Sequence, residues 1–236
     1  MLYQNLINKV VMVTGASSGL GEALARKFAS NACTVYMGAR NYDKLKSIAD
    51  EINNANGRAI AVPLDVTKPE QVEEAAKRMV QHYGRIDIWI NNAGSEKPAS
   101  VLDLTPELLK EITDVNYHGL VYGTQEAARQ MVKQGYGDVV QVLSTSAFTV
   151  REKESAYCGA KAAAEHWSNC ARKELGRYGI RLIHVLPGGM KTKFADNSGL
   201  QMPPNAMNPN DIADLILHAV AQPRNIVADL TLYRNG

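Results

Sequence analysis

The chain has 236 residues, 45% hydrophobic and 21% charged, an ordinary globular balance with enough length for one sizeable core. A formal net charge of +2, with Lys and Arg spread along the chain, gives no electrostatic case for nucleic acid or an anionic membrane. No apolar run is long enough to span a bilayer and no basic-then-apolar leader opens the chain, so the cytoplasm is the expected location.

Residues 10–13, Val-Val-Met-Val, are a short uncharged run, expected as a strand buried on both faces of a parallel sheet. Gly15, Gly19 and Gly21 follow, and a helix opens at Glu22. Glycine permits positive φ and close backbone approach. A helix N-terminus offers N–H groups and partial positive charge to a phosphate. Strand, glycine turn and helix together read as a pyrophosphate cradle. The spacing is Gly-x-x-x-Gly-x-Gly, not the commoner Gly-x-Gly-x-x-Gly, and an ordinary glycine-rich loop is the competing reading.

Further elements alternate. Residues 35–37 form a second strand, 41–54 a helix ending at the Asn56-Gly57 turn pair, and 59–64 a third strand. Thr67-Lys68-Pro69-Glu70 reads as a capping box with proline at the first helical position, opening a helix to about Tyr83-Gly84. Residues 86–90 are the fourth strand, followed by Asn91-Asn92-Ala93-Gly94. Thr105-Pro106 starts a helix to around Gly135; 139–143 are strand five, 155–178 a helix and 180–186 strand six, ending at Pro187-Gly188. Asn208-Pro209 starts the last helix, and 226–232 are a seventh strand. This order predicts an α/β fold, a single-domain doubly wound parallel sheet over 1–236. Its cofactor half is roughly 1–94 and its catalytic and substrate half roughly 95–236. Such sheets bind ligands beyond the carboxyl ends of their strands, where strand order reverses.

Ala39 and Arg40 bear on the cofactor. In this fold an acid about 20 residues past the glycine turn bonds the ribose 2′-hydroxyl of NAD. Ala39 offers no acid, and the Arg40 guanidinium could pair with a 2′-phosphate, so NADP(H) is expected and NAD(H) is the alternative. A solvated loop arginine is the plainer reading of Arg40. Further along, Tyr157 and Lys161 are four apart and share a helix face. A phenol ordinarily titrates near ~10, and a nearby ammonium favours its phenolate. Surface packing also produces such pairs. This one gains meaning from Ser144 at the end of strand five, although Thr145 and Ser146 are adjacent hydroxyls.

With these residues in place the chain resembles the short-chain dehydrogenase/reductase family over nearly its whole length. The matching pieces are residues 14–21 (Thr-Gly-Ala-Ser-Ser-Gly-Leu-Gly), Leu64-Asp65-Val66, residues 91–94, Asn116, Ser144, Tyr157 with Lys161, and Pro187-Gly188 before Thr192. The resemblance implies an NAD(P)-dependent oxidoreductase acting on a small carbonyl or alcohol, with the tetrad Asn116, Ser144, Tyr157 and Lys161. Tyr157 would pass a proton, Ser144 would bond the substrate oxygen, and Lys161 would lower the tyrosine pKa and hold the nicotinamide ribose. Asn116 would anchor a water relaying protons to Lys161. It also implies cofactor contacts from Gly15, Ser17, Ser18, Gly19, Leu20, Gly21, Arg40, Asp65, Val66, Asn92, Ala93, Gly94, Pro187, Gly188 and Thr192. Asp65 would meet the adenine and Thr192 the carboxamide; Asp65 as a plain turn residue is the other reading.

The family also implies a homo-oligomer, a tetramer or a dimer, through the helices after strands four and five. Leu120, Val121, Ala127, Ala128, Ala163 and Ala164 exceed what one sheet-facing side requires. Gly159 and Gln141 depart from the family pattern. Arg151-Glu152-Lys153-Glu154 is unusually charged beside the expected active site; a solvated loop is expected there, and reading a polar substrate is the alternative. His118, His166 and His184 are expected to pack within elements, and no metal spacing is present. Cys33, Cys158 and Cys170, with no C-x-x-C, read as reduced thiols. A catalytically silent NADP-binding sensor and an epimerase or dehydratase on the same fold are the alternatives to a dehydrogenase.

Overall fold

The computed structural model describes residues 3–192 and 204–233. Seven parallel strands form one sheet in the order β3-β2-β1-β4-β5-β6-β7. They are β1 Val10–Thr14, β2 Thr34–Ala39, β3 Arg58–Pro63, β4 Ile88–Asn91, β5 Gly137–Val142, β6 Ile180–Pro187 and β7 Leu230–Leu232. The helices are α1 Gly19–Ser30, α2 Tyr42–Asn54, α3 Pro69–Tyr83, α4 Pro106–Thr113, α5 Gly119–Gln134, α6 Ser155–Gly176 and α7 Pro209–Val220.

Alternation along the central strands sorts the core into two layers. Val11 and Val13 of β1, Ile88 and Ile90 of β4, and Ile183 and Val185 of β6 face α1, α2 and α7. Val10, Met12, Trp89 and Leu182 face the other layer, with residues of α3, α5 and α6. Both sheet faces are thus covered, as uncharged strands require. Trp89 is fully buried, and its Nε1 donates to Asn91 Oδ1 at 2.9 Å. Asn91 Nδ2 donates to Gln141 Oε1 and Thr124 Oγ1, and Gln141 Nε2 donates to Thr124 Oγ1 at 2.9 Å. Gln141 therefore completes a buried amide network.

Three expectations need correction. Thr67 does not cap α3: its Oγ1 and backbone N both donate to Asp65 Oδ1, and Lys68 is the N-cap. The Asp65 carboxylate is the stronger local acceptor and takes the hydroxyl. The helix expected from Thr105 to around Gly135 does run unbroken, α4 passing into α5 through a π turn at Asp114–His118. The seventh strand is only Leu230–Leu232, because Ile226 O accepts from Arg181 and the Asp229 carboxylate takes His184 N at 2.9 Å. Leu120, Ala127, Ala128 and Ala164 are buried within this chain, so they are not surplus for a partner subunit.

At the amino end of β5 and β6, buried Arg181 pairs with Asp138 Oδ2 at 2.9 Å. Arg224 adds a 3.0 Å contact to Asp138, and Arg181 also donates to Val220 O, Gln222 O and Ile226 O. Breaking a buried pair leaves an uncompensated charge and costs about 3–5 kcal/mol. Asp138→Asn, nearly isosteric, is expected to lower the unfolding free energy by about that amount, read by urea denaturation. A variant as stable as the parent would show that the carbonyls alone carry Arg181.

Candidate active site

One cavity of about 490 Å³ opens along the carboxyl ends of the strands. Its first part is the glycine turn. Gly15 has φ +67°, and a Cβ there would lie 2.8 Å from Ala93 Cα. A Cβ on Gly21 would lie 2.3 Å from Gly15 O. Side chains are therefore excluded at both positions, and the backbone forms the cavity wall. Ser18 caps α1 with extended backbone and no side-chain bond to the helix, so the N–H groups of its first turn have no side-chain cap.

Thr14 Oγ1 donates to Ile90 O at 3.2 Å and accepts from Asn92 N and Ala93 N. Asn92 Nδ2 returns a bond to Thr14 O at 2.8 Å. These bonds set Ala93-Gly94 beside the glycine turn. Leu64, Asp65 and Val66 line the cavity beyond β3, and exposed Arg40 lines it beyond β2. Ala39 is buried, and no carboxylate pairs with Arg40 among the described residues.

Ser144, Tyr157 and Lys161 line the same cavity and are all buried. The Ser144 hydroxyl bonds the Tyr157 hydroxyl and accepts from Ser146 N at 3.0 Å. Lys161 Nζ donates to Val142 O at 3.1 Å and lies 5.6 Å from the centre of the Tyr157 ring. Burial pushes the Tyr157 phenol well above its usual pKa, with the Glu96 charge adding to the rise and the Ser144 bond opposing it. Lys161, expected to lower that pKa, does not offset the burial. Burial lowers Lys161 itself to about 8.

Every expected site residue lines the cavity except Asn116. The π turn turns Asn116 inward, where its Nδ2 donates to Ser95 O at 2.7 Å and Ile112 O at 2.9 Å. Thr192 packs over Gly19, and residues 193–203 lie outside the described residues. Glu154 is not on a solvated loop. It is 5% exposed, while Glu152 and Lys153 beside it are exposed. His184 is buried and lowered to about 4, chiefly by desolvation, but His118 and His166 lie at the surface. Cys158 is buried, its Sγ 3.7 Å from Thr149 O.

Two carboxyl groups stand in the wall: Glu96, which sequence reasoning missed, and Glu154, which it assigned to a solvated loop. Glu154, Tyr157 and Lys161 recur at i, i+3 and i+7, a helix-face signal that could have found Glu154. Nothing in the sequence singles out Glu96. Burial and then Glu154 raise the Glu96 pKa to about 7, against Arg151 and Lys161.

A family model described as short chain dehydrogenase matches residues 9–202. The chain belongs to this family. A Staphylococcus aureus protein named as an uncharacterised oxidoreductase is 32% identical over 221 residues, covering 94% of each chain. A solved short-chain type dehydrogenase/reductase from Mycobacterium marinum is 31% identical with a TM-score of 0.90, covering 98% of this chain and 96% of that one. An alcohol dehydrogenase from Thermococcus sibiricus, solved with 5-hydroxy-NADP, is 27% identical with a TM-score of 0.87 and 95% coverage of both. This short-chain dehydrogenase is therefore an oxidoreductase of a family that binds nicotinamide cofactors. Among the described residues no helix is long and apolar enough to cross a membrane, and no cluster could hold a metal ion.

The Glu96 shift carries a stability consequence. The folded state keeps the Glu96 proton to about pH 7, whereas the unfolded chain releases it near the ordinary 4.5. The unfolded state binds fewer protons in that window, so this group's contribution falls as pH rises from 4.5 to 7 and then levels off. Arg151, Lys161, Tyr157, Cys158 and Glu154 are the titratable or charged groups facing it. Glu96→Gln is expected to flatten that part of the profile by up to about 3 kcal/mol. Urea denaturation at pH 5 and pH 7.5 reads the difference; an unchanged slope would assign the proton elsewhere.

Proposed function

We propose that the protein is an NADP(H)-dependent reductase of small carbonyl compounds, with Tyr157 as the acid. The observation that carries this reading is the hydrogen-bonded Ser144–Tyr157 pair beside Lys161 in a cavity that also holds the glycine turn. The turn fits a dinucleotide: Cβ atoms would fill it, and the α1 N-terminus closes one end. The Thermococcus relative solved with 5-hydroxy-NADP supports the cofactor assignment.

Gly15, Ser17, Ser18 and the first turn of α1 would hold the pyrophosphate, Asp65 and Val66 the adenine, and Asn92 to Gly94 the adjoining ribose. Pro187, Gly188 and Thr192 would border the nicotinamide. When bound, that group supplies the hydride to the carbonyl carbon. Ser144 and Tyr157 donate to the carbonyl oxygen and hold the carbon in place. The phenolic proton of Tyr157 passes to that oxygen as the C–O double bond becomes single, which yields the alcohol and a phenolate. A raised phenol pKa keeps Tyr157 protonated at neutral pH, which suits the reductive direction. The Lys161 ammonium, 5.6 Å from the ring, stabilises the phenolate once it forms. Asn116 acts through the backbone of Ser95 as a positioning residue.

Tyr157→Phe removes the proton donor and leaves the cavity lining otherwise intact. Turnover of an accepted ketone is expected to drop by about 10²–10⁴-fold, with NADPH binding by fluorescence titration little changed. Retention of near-parent turnover would remove Tyr157 from the acid role.

NADPH is expected to be preferred over NADH by roughly tenfold, since an exposed guanidinium is screened by solvent and salt. Arg40→Ala should raise the KM for NADPH, and Ala39→Asp should shift preference toward NADH by repelling the 2′-phosphate. A parent with higher kcat/KM for NADH, or an Arg40→Ala variant with unchanged KM for NADPH, would reverse the assignment.

A further inference from the structure

Two buried carboxyl groups in the cavity wall take no part in the proton transfer described above. Glu96 follows Gly94 by two residues beyond β4, and Glu154 is the N-cap of α6, three residues before Tyr157. They are 9% and 5% exposed, and they share a hydrogen bond. Glu96 Oε1 and Glu154 Oε2 are inaccessible and accept from no N–H or O–H among the described residues, so the shared proton is what satisfies them. The second oxygen of each, Glu96 Oε2 and Glu154 Oε1, is left as an acceptor where the two residues line the cavity.

Lys161 Nζ donates to Val142 O, and the Tyr157 hydroxyl bonds Ser144. Half-exposed Arg151 stands 3.7 Å from Glu154 Oε1, too far for a hydrogen bond. Both outer oxygens can therefore accept from a donor that enters the cavity. Residues three apart on a helix have Cβ atoms about 5–6 Å apart. A group reaching Glu154 is therefore a near neighbour of an oxygen held by Tyr157.

We propose that Glu96 and Glu154 are the specificity wall of the substrate cavity and take a hydroxyl or ammonium group carried on the carbon beside the reacting carbonyl. The substrate class is then α-hydroxy or α-amino ketones and aldehydes. This deepens, and rests on, the carbonyl-reductase reading of the same cavity. A hydroxyl donates to the pair while its shared proton stays, and an ammonium replaces that proton.

Three ketones test the wall: 1-hydroxy-2-propanone, 1-amino-2-propanone and 2-butanone, which differ only in OH, NH₃⁺ or CH₃ beside the carbonyl. With NADPH, the kcat/KM of at least one donor-bearing ketone is expected to exceed that of 2-butanone by about tenfold or more, and the better of the two identifies the donor. Glu96→Met and Glu154→Met, similar in size but apolar, should bring the ratio close to one. Glu154→Gln, which keeps the shape but turns half the acceptor into a donor, should reduce it and serves if the Met variants do not fold. A parent ratio near one, or a ratio that survives in the variants, overturns the proposal. If no carbonyl is reduced with either cofactor, the reductase reading fails, and the wall is judged by binding alone. Thermal shifts with NADP⁺ and 1-amino-2-propanol, 1,2-propanediol or 2-butanol should then show stabilisation by an amino alcohol or diol that 2-butanol lacks. An equal response to all three overturns the proposal.

Discussion

The hydroxyl of Thr14 ties β1 to β4 at the point where strand order reverses. Crossovers leave in opposite directions there, so the sheet's carboxyl edge would otherwise gape. Thr14 Oγ1 closes it by bonding Ile90 O, Asn92 N and Ala93 N, and Asn92 Nδ2 bonds back to Thr14 O. The closure brings Ala93 Cα so near Gly15 that only glycine fits, and Gly21 must be bare because Gly15 O lies against it. The turn, the floor of the cavity and the start of α1 are thus one packing problem. The glycines are fixed by backbone approach as much as by any ligand.

The two edges of the sheet treat buried charge differently. At the amino edge, Asp87 meets Lys9, Arg85 and Val10 N, and Asp138 meets Arg181 and Arg224. Charges there are paired, so burial adds specificity of packing without leaving open groups. At the carboxyl edge Tyr157, Lys161 and Glu96 are buried with few compensating partners. Desolvation governs all three, raising the phenol and the carboxyl and lowering the ammonium. Each group is pushed toward its neutral form, where a proton can be given or taken at modest cost. The paired edge offsets the instability of the unpaired one.

Most of the frame was legible in the sequence because its signals are local. Uncharged runs mark β1 and β4, and Thr105-Pro106 and Asn208-Pro209 do cap α4 and α7 as expected. The cavity lining was legible through spacing, from Gly15 to Lys161. What could not be read depends on contacts distant in the chain. The Thr67 hydroxyl has two acceptors to choose from, and only the fold shows that Asp65 takes it. The π turn has no letter of its own, since residues 105–135 keep a helical pattern throughout. Arg181 and Asp229 shorten the seventh strand across more than 40 residues of chain. Glu154 looked solvated because its neighbours are, and burial is a property of where the α6 N-terminus lands.

The placement of Glu96 against Glu154 is built, not incidental. Two carboxyl groups on separate loops repel unless something else holds the loops together. Ala99 N donates to Lys153 O at 2.8 Å, joining the segment after β4 to the one before α6 by main chain. Lys153 adopts φ +64° there, a conformation that a lysine rarely holds without surrounding constraint. On the other side Asn116 grips the Ser95 carbonyl, one residue before Glu96. The π turn, the strained lysine and the inter-loop bond converge on the same pair of acids. A structural core would be more stable with apolar side chains at both positions. The scaffold instead keeps two acceptors exposed to the cavity, one helical turn from the phenol, where a substrate's own donor can satisfy them.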